Sequence, residues 1–125
     1  MDSLNLNSAS DIIIDIFDVN EYQSSLNSIS FRYKNLEISI WYDKGLHSII
    51  LSLPSSKKGY FLSILSKLLQ SHIVDTAFHL VDLKNSLRYL RDEAPQVLSL
   101  LKDPRIDDLY LEKSGAKPLD LNLYQ

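Results

Sequence analysis

Three runs in the middle of the chain leave little freedom in what it folds into. Ile29, Phe31 and Tyr33 alternate with Ser30, Arg32 and Lys34; Leu36, Ile38 and Ile40 alternate with Glu37, Ser39 and Trp41; Ile49, Leu51 and Leu53 alternate with Ser48, Ile50 and Ser52. Successive side chains of a strand point to opposite faces, so each run buries one face and leaves the other largely polar. Lys34-Asn35 and Asp43-Lys44-Gly45 separate the runs, and Asn and Gly tolerate the positive φ of tight reversals. The expectation is an antiparallel meander over residues 28–53.

Helical spacing flanks the meander. Ile12, Ile13, Ile16 and Phe17 form one stripe and predict a helix over residues 11–19, capped by Ser10 or Asp11, although Ile12-Ile13-Ile14 would also suit a strand. Pro54 ends the third run, Ser55-Ser56 offers an N-cap, and Phe61, Ile64, Leu65, Leu68 and Leu69 recur at helical spacing to His72. Leu83, Leu87 and Leu90 predict a second stretch from Asp82, with Asp92 capping a third that carries Pro95 in its first turn. Asp103-Pro104 repeats that signal for a short turn through Leu109, while residues 74–81 read equally as helix or connector. Leu119-Asp120-Leu121-Asn122-Leu123-Tyr124 returns to period two, as does Leu4-Asn5-Leu6-Asn7. The reading is one α+β domain over residues 1–125: a small antiparallel three- to four-stranded sheet with helices packed on one face, residues 1–9 and 113–125 being flexible ends or edge strands.

A chain of 125 residues holds one core, and 45% apolar against 23% charged residues excludes a disordered chain. The absence of cysteine removes disulfides, thiolate metal sites and thiol catalysis. A net charge of −3 argues against a general DNA-coating role. The first residues show no basic and apolar leader, and no apolar run exceeds three residues, so the expected location is the cytoplasm, with no membrane contact.

Catalytic signals are sparse. His72, Asp75, His79 and Asp82 fall on one face of an unbroken helix, yet a seven-residue step separates the two imidazoles by about 10 Å, too far for one metal ion. No metal ligand and no cofactor is therefore assigned. The chain has no Gly-x-Ser-x-Gly elbow, its three glycines are isolated, and its sixteen acids offer no preferred pair. No catalytic residue is named.

Charge is unevenly spread. Residues 1–56 carry 7 acids and 3 bases, residues 57–102 carry 4 acids and 7 bases, and residues 103–125 carry 5 acids and 3 bases. Asp11, Asp15 and Asp18 at i, i+4 and i+7, continued by Glu21 and Tyr22, make an acidic helical stripe whose self-repulsion a cationic partner would relieve. Alternation places Trp41 and Arg32 on the polar face of the meander, and both residue types are favoured interface anchors. In size, acidity and lack of a catalytic motif the chain is similar to bacterial immunity proteins that neutralise nuclease toxins, a likeness of class that rests on no motif. The function expected is non-catalytic binding of another, basic, toxin-like protein through Asp11, Asp15, Asp18, Glu21, Tyr22, Arg32 and Trp41. Alternatives are a small metal-dependent or acid–base enzyme around His72, Asp75 and His79, or a nucleic-acid-associated regulator using Lys84, Arg88 and Arg91. A homodimer through terminal edge strands is a further reading of the alternating ends.

Overall fold

The three alternating runs pair as their pattern requires. The computed structural model describes residues 6–43, 46–70 and 80–124. Within them the chain runs α1 (Leu6–Phe17), β1 (Gln23–Ser24), β2 (Ser28–Tyr33), β3 (Leu36–Asp43), β4 (Leu46–Ser52), β5 (Lys58–Phe61), α2 (Leu62–Leu68), α3 (Leu80–Leu101), α4 (Ile106–Ser114), β6 (Leu119–Asp120) and a closing 3-10 turn, Leu121–Tyr124. The class is α+β, and the described strands form one antiparallel sheet of six in the order β1-β2-β3-β4-β5-β6, larger than the three or four strands expected.

Between β2 and β3, Lys34 (φ 47°) and Asn35 (φ 66°) both occupy the left-handed region, the signature of a two-residue type I′ hairpin. That turn fixes the register Tyr33↔Leu36 through Ser28↔Trp41. One sheet face then carries Ile29, Phe31, Leu36, Ile38, Ile40, Ile49, Leu51 and Tyr60, all buried in a common core with Ile12, Ile13, Ile16 and Phe17 of α1, Leu62 and Leu65 of α2, and Leu83, Leu87 and Leu90 of α3. Burying each such side chain contributes about 1.5–3 kcal/mol, and this inner layer is where the fold draws its stability. Phe17 meets Phe31 at a tilt, with ring centroids 5.0 Å apart, and Tyr33 edge-on at 4.9 Å, pinning the end of α1 to β2.

Several element boundaries differ from the sequence expectation. Helix α1 spans residues 6–17 rather than 11–19, and Asp18 lies beyond it in a left-handed conformation (φ 54°), its N–H donating to the Ile14 carbonyl at 3.0 Å. Phe61 closes strand β5 instead of opening a helix that runs to His72; α2 is the shorter helix that follows it. Asp92 caps nothing, because α3 is continuous through it. Leu83, Leu87, Leu90, Ala94, Val97 and Leu101 make one unbroken buried stripe, and Pro95 is tolerated because it stands on the exposed side. The short turn expected through Leu109 is the nine-residue helix α4, closed by Gly115 at φ 76°.

Candidate functional site

The register sets a second, outer face of the sheet: Ser28, Ser30 and Arg32 of β2, Glu37, Ser39 and Trp41 of β3, Ser48, Ile50 and Ser52 of β4, and Gly59 and Phe61 of β5. Cross-strand neighbours on this face pair by polarity. Arg32 Nε donates to Glu37 Oε1 at 2.8 Å, and the Ser30 and Ser39 hydroxyls meet at 3.0 Å. Where β4 meets β5 the face turns apolar, with Ile50 beside Phe61 and buried outside the inner core.

Three depressions run across this face. The largest, about 850 Å³, lies between the α1–β1 connector and β2, with Glu21, Tyr22, Gln23, Ser30, Arg32 and Glu37 along it. A second, about 400 Å³, is framed by Gln23, Ser28, Ser30, Ser39, Trp41 and Leu121. Gln23 and Ser30 border both, so the two adjoin and together make up a trough. The third, about 190 Å³, lies on the other side of Trp41, among Ser48, Ile50, Phe61, Leu119 and Leu121. Trp41 is half-buried and separates the serine-lined trough from the apolar hollow.

The sequence-predicted binding residues divide into two groups. Glu21, Tyr22 and Arg32 come together along the large trough, and Trp41 stands at its far end. Asp11 and Asp15 are exposed on α1, whose apolar side packs on the inner face, so the sheet lies between them and Trp41. A single surface of acidic helix beside indole, as expected from the sequence, is therefore not formed. Asp18 leaves the helical stripe, and with Glu21 it belongs to the connector that rounds the sheet edge. Tyr22 is 40% exposed, a large aromatic surface at the mouth of the trough.

Two features of the structure carry no motif in the sequence. The Tyr60 hydroxyl donates to Asp107, the Lys58 ammonium pairs with the other carboxylate oxygen, and the Tyr110 hydroxyl accepts the Phe61 N–H at 3.1 Å. Burial, and then the Asp107 carboxylate, push the Tyr60 phenol well above the usual tyrosine range. Lys58 and then Tyr60 hold the Asp107 carboxyl below its ordinary range. A phenol kept protonated and a carboxylate kept ionised exchange no proton near neutrality, so this cluster ties β5 to α4. The second feature is His47, fully buried on the inner face, with neither ring nitrogen hydrogen-bonded among the described residues and its pKa lowered by desolvation.

His72, Asp75 and His79 lie outside the described residues. Of the basic stripe, Arg88 is exposed, while Lys84 and Arg91 are half-buried, Arg91 Nε donating to Asp92 at 3.1 Å. Among the described residues no group of His, Asp and Glu could hold a metal ion, and no helix is long and apolar enough to cross a membrane. No protein-family model, curated protein or solved structure matches this chain.

Proposed function

We propose that this chain is a non-catalytic protein-binding domain that occludes a basic, toxin-like partner through the outer face of its sheet. The observation that carries the reading is the pair of adjoining depressions that runs from Glu21, Tyr22 and Arg32 past Gln23 and Ser30 to Trp41. It is open, edged by the residue types that dominate binding energy, and floored by serine hydroxyls that adapt to a partner's polar groups. The acidic connector sets the sign of the partner. Glu21 lines the trough and Asp18 precedes it on the same exposed connector, a local negative charge that steers a cationic protein toward this edge. Arg32 is already neutralised by Glu37, so it offers its guanidinium plane more than net charge.

In-cell photo-crosslinking tests the reading. A photoreactive amino acid at Tyr22 or Arg32 is expected to trap one basic protein, whereas the same group at Lys102 on the opposite layer traps none. Asp18→Lys with Glu21→Lys should abolish the adduct and leave the thermal midpoint unchanged. Equal trapping from all three positions, or an adduct indifferent to the charge reversal, refutes it.

A further inference from the structure

The chain's own carboxy-terminal segment lies where a partner strand would lie. After α4 the backbone returns along β5 as β6, held by the pairs Lys58↔Asp120 and Gly59↔Leu119 and by the Leu121 N–H donating to the Lys57 carbonyl at 2.8 Å. So short a ladder is a weak attachment, since most of a strand's stability comes from side-chain packing along several cross-strand pairs. The packing here depends on Gly59. A Cβ at that position would stand 2.8 Å from Leu121 Cδ2 and 2.9 Å from Ile50 Cγ2. The missing side chain makes a notch that receives one leucine, and the next pocket along, between Trp41, Ile50 and Phe61, keeps about 190 Å³ unfilled. Between the two leucines, Asp120 stands opposite Lys58, with Lys57 and Lys117 beside it and Asp107 and Asp108 on the α4 side.

We propose that the β5 edge is a strand-acceptor site for an extended segment of another protein with the pattern apolar–acidic–apolar, and that Leu119-Asp120-Leu121 is its resident stand-in. The backbone of β5 supplies affinity by β-addition, the Gly59 notch and the Trp41 hollow select the alternate apolar side chains, and Lys57 and Lys117 select the acid between them, Lys58 being paired with Asp107. An incoming segment displaces the tail from Lys57, Lys58 and Gly59, and the hollow left beside Trp41 favours a segment bulkier than leucine at the second position. This surface shares Trp41 and Leu121 with the far end of the trough but uses none of Glu21, Tyr22 or Arg32 and takes a partner of opposite charge, so it stands or falls without those three residues.

The test uses the full chain and a synthetic peptide of residues 117–125. Trp41 is the sole tryptophan and borders the tail, so its emission reports occupancy. Leu119→Ser with Leu121→Ser should shift that emission to the red. Titration with the peptide should reverse the shift saturably, with at least tenfold higher affinity than for the wild-type chain, whose own tail competes. A peptide with both leucines replaced by serine should not bind, and one with lysine in place of the aspartate should bind at least fivefold more weakly. An unchanged emission in the double variant, or no saturable response to the peptide, overturns the proposal. A wild-type dimer that the double variant loses overturns it as well, by making the occupant a second copy. Amide exchange on the unaltered protein gives an independent readout. The Leu121 N–H should exchange at least a hundredfold faster than those of Ile38 and Ile40; exchange only with global unfolding would show the tail to be a fixed part of the sheet.

Discussion

Replacing His47 by leucine is expected to stabilise the protein, and by more as the pH falls. The imidazole is completely buried against the Tyr42 ring at 5.1 Å, and neither nitrogen finds a hydrogen-bond partner among the described residues. An unsatisfied buried polar group costs about 1–3 kcal/mol, which leucine of similar volume removes. Loss of the ring contact with Tyr42 returns about 0.5–1.5 kcal/mol, so the net gain above pH 7 is on the order of 1 kcal/mol. The larger effect comes from proton linkage. Desolvation lowers the His47 pKa in the folded state, whereas an unfolded histidine titrates near 6.5, so below that value the unfolded chain binds the additional proton. Stability from the neutral ring is therefore intact above about pH 6.5 and declines, by up to about 1.4 kcal/mol per pH unit, until the depressed folded value is reached. Urea titrations of both chains at pH 8, 7, 6 and 5, followed by circular dichroism, isolate this contribution, because every other titrating group is common to the two. The difference should widen below pH 6.5. A difference that is flat from pH 8 to 5, or a leucine variant less stable throughout, would show that the ring is paired or protonated in the folded protein.

Other substitutions probe the remaining elements. Tyr60→Phe removes a hydrogen bond to an ionised carboxylate and should cost about 1.5–3 kcal/mol at pH 7. Because the Asp107 carboxyl is held below its usual range, that deficit should fade in urea titrations only as the pH drops through its depressed value and the group protonates. Pro95→Ala restores a missing helical N–H on the exposed side of α3; after allowing for the greater freedom of the unfolded chain, it should add roughly 1–2 kcal/mol by thermal denaturation. Lys34→Asn with Asn35→Gly gives the β2–β3 turn the residues that its two positive φ angles favour and should raise stability by about 0.5–1 kcal/mol, read from the urea midpoint.

The meander was legible because alternation is a strong signal over six to eight residues. Ile29, Phe31, Leu36, Ile38, Ile40, Ile49 and Leu51 all face the core, as their period requires. Strand β5 was hidden for the opposite reason. Lys-Lys-Gly-Tyr-Phe does not alternate, because Tyr60 serves the inner core and Phe61 the apolar end of the outer face. Two-residue strands such as β1 and β6 have no period to read, although the alternating leucines at 119 and 121 flagged the second as a candidate edge. Helix α3 shows tertiary packing overriding a local signal: Asp92 and Pro95 imitate a helix start, but the buried stripe from Leu83 to Leu101 passes straight through. As for the candidate site, alternation alone placed Arg32 and Trp41 on the outer face. The burial of Ile12, Ile13, Ile16 and Phe17 against the inner layer was equally readable, yet nothing local revealed that Asp18 would leave the helix in a left-handed turn. The Tyr60–Asp107 contact joins residues 47 apart in sequence, and only the assembled fold brings them together.

Every pair of adjacent strands in this sheet is also consecutive along the polypeptide. During synthesis the first five can zip together hairpin by hairpin, through contacts of short loop closure that favour fast pairing. The sixth has to wait until α2, α3 and α4 have been made and docked, so one margin of the newborn sheet remains an open edge until residues 119 and 120 have emerged, and it is there that a helper protein would be of most use to the folding chain.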